Sequence, residues 1–483
     1  MHDAAGDHAF AAIDARARAL AGALLAGRPS LAGERVGVFA PPGADFVAAL
    51  VAPLVAGGAG LVLSPLHAAE ESRYLLDDAG VRAIVVHPSL AEAARAFAGD
   101  RRILPTDAEA APLAAPIAAR PEDAALQLYT SGTTGKPKGA VLTHENLAVQ
   151  AGLLGDAWGW SEDDTLLHAL PLHHMHGLVI ALVTALAAGA RARMMAFSAP
   201  AVWDAMAEAS VFMAVPTMYA KLFAAFDEAD EATRARWTAG ASRLRLATSG
   251  SAALPVTVGE RWRAITGAYP LERFGMTEIG VGLTNPLRGT RKPGMVGAPL
   301  PSVETRIVGD GGEDAAQGEL WVRGPSVFCE YHARPEETAR AFAPATDGGR
   351  AWFKTGDTVT RDADGDFKIL GRTSVDILKS GGYKLSALEI EEALREHPAI
   401  LEVSVVGLPD ETWGERVVAC VVPRPGREAE CGAAELRAFA KLHLASYKVP
   451  KEVHAFAELP KNALGKVVKP ELARRLRALT AGG

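Results

Sequence analysis

The sequence predicts an α/β protein: a large layered α/β amino-terminal domain with a β-rich subdomain, followed by a small mobile α+β carboxy-terminal domain. The chain has 483 residues, enough for about three domains or subdomains. Helix and strand patterns alternate in its first part, and strand patterns predominate after residue 300. With 49% hydrophobic and 22% charged residues, the composition excludes a disordered or collagen-like chain.

The alternating part begins at residue 11. Helical periodicity over 11–27, 43–56 and 68–79 is separated by the strand patterns RVGVFA, GLVL and AIVVH. Alternation of this kind favours a parallel sheet that is covered on both faces. The layered region is expected to continue past residue 270, because further strands are predicted at 126–130, 211–215, 243–248 and 271–274.

Two uncharged runs, 46–69 and 166–190, have the length of a membrane span, about 20 residues. The first contains Pro53 and three glycines, and the second contains Pro171 and four histidines. Each is better explained by a buried helix beside a buried strand, so no membrane span is expected.

The last part of the chain changes character. SVETRIVG and GELWVRG predict strands, and DADGDFKILGR is rich in turn residues. Ser386 followed by Glu389 is a capping-box signature that opens a helix. The strand patterns LEVSVVG, RVVACVV and EVHAF follow it. We therefore expect one domain over residues 1–373 and a second over residues 374–483, which is large enough to fold alone.

Charge and cysteine content exclude several function classes. Fifty basic and 57 acidic residues give a net charge of −7, whereas a nucleic-acid binder needs a basic surface, so no nucleic-acid partner is expected. Three scattered cysteines indicate neither a disulfide framework nor a cysteine zinc site. Because the amino terminus shows no signal or transit pattern, a cytoplasmic location is expected. The oligomeric state stays open.

The most informative segment is YTSGTTGKPKGA, residues 129–140. Seven of its twelve residues are Gly, Ser or Thr, and Lys136 and Lys138 add positive charge. Glycine backbone N–H groups, hydroxyls and lysines together favour phosphate binding. Pro137 stands where the Walker A pattern requires glycine, which argues against a P-loop NTPase. A flexible surface loop is the alternative interpretation of such a composition.

The TSGTTGKPKG string, with seven others in order along nearly the whole chain, resembles the adenylate-forming enzymes. This family includes acyl-CoA synthetases, firefly-type luciferases and peptide-synthetase adenylation domains. The other strings are PLHHMHG (171–177), VPTMY (215–219), SGSAAL (249–254), RFGMTE (273–278), KTGD (354–357), GRTSVDILKSGGYK (371–384) and LPKNALGK (459–466). The resemblance implies a ligase that uses ATP, Mg²⁺, a small carboxylic acid and coenzyme A.

The resemblance also assigns nucleotide-binding positions. Those expected around the β- and γ-phosphates are Thr130, Ser131, Gly132, Thr133, Thr134, Gly135 and Lys138. Those expected at adenine are Gly250, Ser251, Ala252, Phe274 and Gly275. Thr277 and Glu278 match the phosphate and Mg²⁺ positions, and Asp357, assisted by Arg372, would accept both ribose hydroxyls. Without the family, Asp357 would be interpreted as a turn residue and Glu278 as a helix-start carboxylate.

Catalytic and hinge positions follow from the same resemblance. Lys466 would bind the acid carboxylate and the α-phosphate during adenylation, where a preorganised cation lowers the barrier. His174 would gate the acyl pocket and the thiol tunnel. Rotation of the small domain would then bring Gly381 and Gly382 toward the pantetheine channel. The expected pivot of this rotation is Asp376, with Val375 as the alternative.

Within the family, ERFGMTEIG, RKPGMVGAPLP and GRTSVDILKSGGYKLSALEIE most resemble the branch that activates malonate. In that branch cationic and polar groups hold the second carboxylate, and the matching positions are His176, Lys221, Ser251 and Arg291. The alternative is that Lys221 and Arg291 are surface charges. Another short- or medium-chain acid, a stand-alone enzyme that loads a carrier protein and a luciferase-like oxygenase are the competing functions.

Overall fold

The structure is a computed structural model that describes residues 1–130, 136–381, 383–462 and 466–481. Of the residues singled out above, Ser131, Gly132, Thr133, Thr134, Gly135 and Gly382 lie outside the described residues.

The described strands occur in this chain order: β1 (His2–Asp3), β2 (Gly6–Asp7), β3 (Arg35–Phe39), β4 (Ala59–Val62), β5 (Ala83–Val86), β6 (Arg102–Pro105), β7 (Ala124–Thr130), β8 (Lys138–Thr143), β9 (Thr165–His168), β10 (Arg191–Met194), β11 (Val211–Ala214), β12 (Leu246–Ser249), β13 (Leu271–Met276), β14 (Gly280–Thr284), β15 (Ala298–Pro299), β16 (Glu304–Val308), β17 (Gln317–Arg323), β18 (Glu330–Tyr331), β19 (Phe342–Ala343), β20 (Trp352–Arg361), β21 (Phe367–Arg372), β22 (Ile377–Ser380), β23 (Tyr383–Ser386), β24 (Ile400–Asp410), β25 (Gly414–Pro423) and β26 (Glu452–Ala455).

The described α-helices are α1 (Phe10–Leu25), α2 (Ala44–Val55), α3 (Ala69–Asp78), α4 (Ala91–Ala98), α5 (His144–Trp158), α6 (Thr184–Ala187), α7 (Ala199–Ala205), α8 (Pro216–Glu228), α9 (Glu231–Ala241), α10 (Val256–Thr266), α11 (Pro335–Ala341), α12 (Ala387–Arg395), α13 (Ala433–His443) and α14 (Lys469–Ala481). A π-helix over His176–Val183 runs directly into α6. Within the described ranges, no helix combines the length and the apolarity needed to cross a bilayer.

Two mainly parallel sheets form the layered region. Their strand orders are β18-β8-β7-β4-β3-β5-β6 and β15-β14-β13-β12-β11-β9-β10-β1-β2. An antiparallel sheet, β16-β17-β20-β19 with β21 beside β20, forms the β-rich part. The small sheet β23-β22-β25-β24, with β26 beside β25, belongs to the last hundred residues. The predicted α/β class is therefore confirmed.

The uncharged runs fold as expected. The first forms α2 and the buried strand β4, and the second begins in β9 and continues in the π-helix and α6. The predicted strand 243–248 is wrong at its start, because β12 begins only at Leu246. The N–H groups of Arg243 and Leu244 donate to the last carbonyls of α9, at Gly240 and Ala241, which continues the helical turn.

The turn-rich segment 362–372 also differs in part from the prediction. Its first half is a turn in which the Asp362 carboxylate accepts N–H groups from Asp364 and Asp366. Its second half is strand β21, whose Phe367 is buried in the main core. An apolar anchor therefore fixes the second half as a strand.

The hydrophobic cores separate along the chain. The main core uses residues between Ile13 and Phe367, whereas two small cores use residues between Leu378 and Leu476. The carboxyl ends of the adjacent strands β12 and β13 face the part of the chain that forms the two small cores. The contact that places them there is a 2.7 Å hydrogen bond, which the Val256 N–H at the amino end of α10 donates to the Glu392 carboxylate of α12. Ligands in α/β proteins bind at such strand ends.

Candidate active site

Asp357 lies in the middle of β20, directly opposite Arg372 of the neighbouring strand β21. It is only 5% exposed. Nη1 of Arg372 lies 3.3 Å from Oδ2 of Asp357 and donates a 2.7 Å hydrogen bond to the Thr355 carbonyl. Burial raises the pKa of Asp357 to about 6, although the Arg372 charge opposes this. Oδ2 accepts no hydrogen bond from the described residues, so the carboxylate is an available acceptor for hydroxyl groups.

Glu278 lies in the turn between β13 and β14, next to the half-buried Thr277. It is buried, and its Oε1 accepts a 2.8 Å hydrogen bond from the Tyr331 hydroxyl. Burial raises the pKa of Glu278, with Arg372 and Lys138 acting in the opposite direction. No cation within the described ranges lies at ion-pair distance from this carboxylate. A buried hard-oxygen ligand without a counter-ion fits Mg²⁺.

Thr130 and Lys138 face each other across the β7–β8 pair and flank residues 131–135 on either side. The Lys138 ammonium lies 2.7 Å from Glu337 and 5.0 Å from the centroid of the Tyr331 ring. Tyr331 therefore contacts both Lys138 and Glu278. Lys138, the predicted phosphate-binding lysine, and Glu278, the predicted Mg²⁺ ligand, therefore lie on the same tyrosine.

The ends of β12 and β13 place the predicted adenine positions side by side. Gly250 and Ser251 follow β12, and Ser251 has a left-handed backbone with φ of +67°. Ala252 comes next in the chain. Phe274 is half-buried on β13, and a β-carbon on the next residue, Gly275, would collide with the Gly280 carbonyl. A left-handed non-glycine residue in a loop like this is typical of a functional site.

Three histidines lie along the entrance to these strand ends. The His173 and His174 rings are 4.0 Å apart, and His67 lies 5.1 Å from His173. Burial lowers the pKa of His174 to about 4, with smaller effects from His67 and Lys466. His176 is buried deeper, and its Nδ1 lies 3.2 Å from the Ser251 hydroxyl. These imidazoles are therefore neutral at pH 7.

Arg273, which the sequence analysis did not nominate, is the buried cation of the site. It lies on β13, is 4% exposed, and burial lowers its pKa to about 9. Its Nε and Nη2 have no hydrogen-bond partner within the described part of the chain. The guanidinium lies against Gly250, where any β-carbon would collide with it, and its charge acts on His176. The available signal was a pair of charged residues, Glu272 and Arg273, inside the strand pattern LERFG.

Lys466 reaches this site from the small domain. The residue as a whole is exposed, whereas its ammonium group lies among protein atoms, and this desolvation lowers its pKa. Arg372 and Arg273 lower the pKa further, and Asp357 opposes them. The Lys466 N–H donates to the side-chain oxygen of Asn462 at 3.0 Å, which orders the backbone of the lysine. The charges of the predicted ribose acceptor and of the buried arginine thus both act on the Lys466 ammonium.

The two cations predicted for the acyl pocket, Arg291 and Lys221, are not paired with the His176–Ser251 contact. Arg291 donates to the carbonyls of Pro286, Tyr269 and Leu287, so backbone groups hold its guanidinium. Lys221 is exposed on α8, with its ammonium 5.9 Å from the centroid of the Phe197 ring. The structure brings His176 and Ser251 together with Arg273, and it pairs neither Arg291 nor Lys221 with them.

The hinge positions follow β21. The Asp376 carboxylate accepts the Arg372 N–H at 2.9 Å, and the Val375 N–H donates to the Arg372 carbonyl at 3.1 Å. Gly381, with φ of +59°, donates its N–H to the Trp413 carbonyl at the far end of β22. The expected pivot is therefore fastened to the last residue of the large domain's sheet.

The chain is similar to proteins of known family over most of its length. A family model described as AMP-binding enzyme matches residues 2–332, and the model of its carboxy-terminal domain matches residues 389–466. A mitochondrial malonate–CoA ligase of Bos taurus is 41% identical over 92% of this chain and 81% of its own.

Two solved structures are similar over most of their length. ATP-bound MatB of Rhodopseudomonas palustris has a TM-score of 0.89 at 34% identity, over 99% of this chain and 95% of its own. A malonyl-CoA ligase in a ternary product complex with methylmalonyl-CoA and AMP has a TM-score of 0.65 at 36% identity, over 92% of this chain and 94% of its own. The overall arrangement is thus nearer to the ATP-bound structure.

Proposed function

We propose, from the premise that this chain belongs to the AMP-binding enzymes, that it is an AMP-forming malonate–CoA ligase. ATP and malonate would give malonyl-adenylate and pyrophosphate, and CoA would then accept the malonyl group with release of AMP. The likeness to a malonate–CoA ligase over most of both chains supports this substrate. The observation that carries the proposal is the unpaired guanidinium of Arg273.

A distal carboxylate supplies what this guanidinium lacks. Burying an arginine without a partner is unfavourable, and so is burying a carboxylate. Nε and Nη2 of Arg273 have no partner among the described residues, and they lie beside the neutral His176–Ser251 pair. A bidentate ion pair would satisfy both the protein and the acid. An apolar acyl chain would leave the arginine unpaired, which disfavours a fatty acid.

In the first half-reaction the carboxylate of malonate that Arg273 does not bind attacks the α-phosphorus of ATP. A phosphorus–oxygen bond forms, the bond to the β-phosphate oxygen breaks, and pyrophosphate leaves. The Lys466 ammonium offsets the charge that accumulates on the α-phosphate oxygens, because it already faces Asp357 and the acyl site. Asp357 and Arg372 would fix the ribose. Mg²⁺, when bound at Glu278, neutralises phosphate charge.

In the second half-reaction the CoA thiolate attacks the carbonyl carbon of malonyl-adenylate. A carbon–sulfur bond forms, and the bond between that carbon and the AMP phosphate oxygen breaks. The neutral His174 imidazole adds no positive charge at the entrance, since burial holds its pKa to about 4. Gly381 and Gly382 are proposed to approach CoA after the small domain rotates about Asp376.

An acid-specificity experiment tests the proposed substrate. We expect Arg273→Met to shift the ratio of kcat/KM for malonate over butyrate by at least about tenfold towards butyrate. Loss of one partner of a desolvated charge pair costs about 2–5 kcal/mol, and butyrate never forms the pair. The ATP KM is expected to stay nearly unchanged. Pyrophosphate release with each acid is the measurement.

Lys221→Met is the matched control, because it removes an exposed cation. We expect its malonate-to-butyrate ratio to equal that of the wild type. Arg291→Met removes a guanidinium that backbone carbonyls hold, so we expect a lower unfolding temperature rather than a changed ratio. An unchanged ratio in Arg273→Met, in a folded protein, would leave a generic short-chain acyl-CoA ligase as the better function.

Domain limits and location remain part of the proposal. Residues 1–373 and 374–483 are proposed as the two domains, because the hydrophobic cores divide between Phe367 and Leu378. A cytoplasmic location is proposed because three scattered cysteines fit a reducing compartment, while the bovine relative is mitochondrial by name. Cell fractionation with an antibody against the chain distinguishes the two locations.

A further inference from the structure

The carboxylate of Asp376 joins two parts of the molecule. Oδ2 accepts the Arg372 N–H at 2.9 Å, at the end of the large domain's strand β21. Oδ1 lies 2.5 Å from the ammonium of Lys469, the first residue of α14 in the small domain. The Asp376 carbonyl accepts the Ala387 N–H at the start of α12. One oxygen of the Asp376 carboxylate therefore binds the large domain, and the other binds the small domain.

Lys469 has a second anionic partner. Its ammonium lies 2.7 Å from Oε1 of Glu391 on α12, and the same oxygen accepts the Val405 N–H at 2.7 Å. The side chains of Lys469, Asp376 and Glu391 are 10%, 13% and 8% exposed. Burial lowers the pKa of Lys469, but the two carboxylates outweigh it and hold the pKa above its ordinary value. The ammonium is thus charged and separates two buried carboxylates.

The position of Lys469 in the chain adds a mechanical connection. It lies three residues after Lys466, and α14 is anchored by Leu472 and Leu476 in the small domain's core. The segment that delivers Lys466 to the site is therefore the segment that binds the Asp376 carboxylate. Glu391 moves with Lys469, because α12 and α14 both pack on the small domain's sheet.

We propose that Lys469 is a positioning residue that holds the small domain in the orientation that delivers Lys466. This inference rests on the proposed function, since it concerns the balance between the two half-reactions. A rotation about Asp376 cannot keep both oxygens bound, so either the Arg372 or the Lys469 contact must break. Without the ammonium, Asp376 and Glu391 would repel each other in a buried place, and this orientation would be disfavoured.

The experiment measures the two half-reactions separately in Lys469→Met. Adenylation is followed by malonate-dependent pyrophosphate release, and thioester formation by malonyl-CoA made from supplied malonyl-adenylate and CoA. We expect adenylation to fall at least about tenfold while thioester formation stays within about twofold. Lys469→Arg keeps the charge, so we expect it to recover most of the adenylation rate. A purely packing role would not discriminate between the two steps.

Two further variants keep the test independent of folding. Asp376→Asn removes the same ion pair but creates no repulsion with Glu391, which stays paired with Lys469, so we expect a smaller change in the ratio of the two rates, in the same direction. Lys448→Met is the matched control, because it removes a 2.6 Å ion pair to Glu389 of α12 that does not touch Asp376. Both rates are expected to stay at the wild-type value in this control.

Equal losses in both half-reactions of Lys469→Met and Asp376→Asn, with unfolding temperatures near that of the wild type, would overturn the inference. So would an unchanged ratio in both variants. If the wild type adenylates another acid but not malonate, the proposed substrate fails, and the same ratio is then measured with that acid and its adenylate. The two proposals therefore fail on different results.

Discussion

Arg273 and Lys466 are both cations of the site, but their surroundings give them different tasks. Arg273 is fixed on a strand inside the large domain and is buried, so it can only recognise a charge that enters the pocket. Lys466 belongs to the small domain, and the residue as a whole is exposed. A cation that must act in one half-reaction and leave before the next has to be on the moving part.

Lys466→Ala is expected to lower the rate of adenylate formation by two to three powers of ten, because it removes a preorganised charge at the reacting phosphorus. Thioester formation from supplied malonyl-adenylate and CoA is expected to survive. The two rates are measured by pyrophosphate release and by malonyl-CoA formation. Equal losses in both steps, in a folded variant, would contradict the division of labour between the two domain orientations.

The Asp357 carboxyl predicts a pH dependence of ATP binding. Burial raises its pKa to about 6 from 3.8, so below about pH 6 it is protonated in the folded protein and loses acceptor capacity for the ribose hydroxyls. We expect kcat/KM for ATP to fall as the pH decreases through about 6. The profile of Asp357→Asn, which has no carboxyl to titrate, should lack this step.

The raised pKa of Asp357 has the opposite effect on the free energy of unfolding, which it increases as the pH decreases. Between about pH 4 and 6 the folded protein binds more protons at Asp357 than the unfolded chain does, so this residue favours folding as the pH falls through that window. The free energy of unfolding of Asp357→Asn should therefore vary less over the window than that of the wild type. A kinetic step that survives in Asp357→Asn would assign the titration to another group.

Residue roles differed in how far the sequence could predict them. Asp357, Glu278 and Lys466 stand in strings that resemble those of the adenylate-forming enzymes, and this resemblance suggested their roles. The structure brings the three side chains near one another. Arg273 lies in one of those strings too, but its importance depends on being buried without a partner, which only the fold reveals. Arg291 is suggested by the resemblance to the malonate-activating branch, and its three carbonyl partners come from a loop geometry that no spacing rule predicts.

At the scale of elements, the junction between β21 and β22 combines rigidity with a single point of rotation. The Thr373 N–H donates to the Gly356 carbonyl of β20, and the Asp376 N–H donates to the Arg372 carbonyl at 2.7 Å. β22 then begins at Ile377 within the small domain's sheet. The proposed rotation would therefore take place in the backbone around Val375 and Asp376.

Asp376→Pro tests which residue rotates. Both Asp376→Pro and Asp376→Ala lose the carboxylate, so the difference between them reports the two effects of proline on the backbone, which are a fixed φ and the loss of the N–H that donates to the Arg372 carbonyl. We expect thioester formation to be at least about tenfold slower in the proline variant than in the alanine variant, with similar adenylation rates. If Val375→Pro gives this result and Asp376→Pro equals Asp376→Ala, the pivot is Val375.

Most elements of the layered region could be predicted from periodicity, because apolar residues recur at helix or strand spacing there. The start of β12 could not, since Arg243 and Leu244 bond back to α9. The helix that begins after Ser386 could, because the Ser386 hydroxyl accepts the Glu389 N–H at 3.1 Å, as its capping signature indicates. The exception at β12 arises because a helical turn continues past the end of α9, into residues that the strand pattern assigned to β12.

At the scale of the molecule, the two domains touch mainly through polar groups. Glu392 accepts the Val256 N–H, and Lys384 pairs with Asp310 at 2.5 Å. The hydrophobic cores remain separate, so rotation of the small domain removes little apolar area from contact. The TM-scores of 0.89 and 0.65 against the ATP-bound and product-bound structures fit one sequence family in two arrangements.

The contact between Gly250 and Arg273 couples the residues that evolution can accept at these two positions. A β-carbon at 250 would collide with Cζ and Nε of Arg273, so a larger residue there requires either a displaced guanidinium or a shorter residue at 273. A related protein that no longer binds a charged acid can carry a larger residue at position 250 in the space of the guanidinium. A protein that still binds such an acid is expected to keep glycine there. Related proteins are therefore expected to change these two positions together, and their joint identity is a marker of whether the acid carries a second charge.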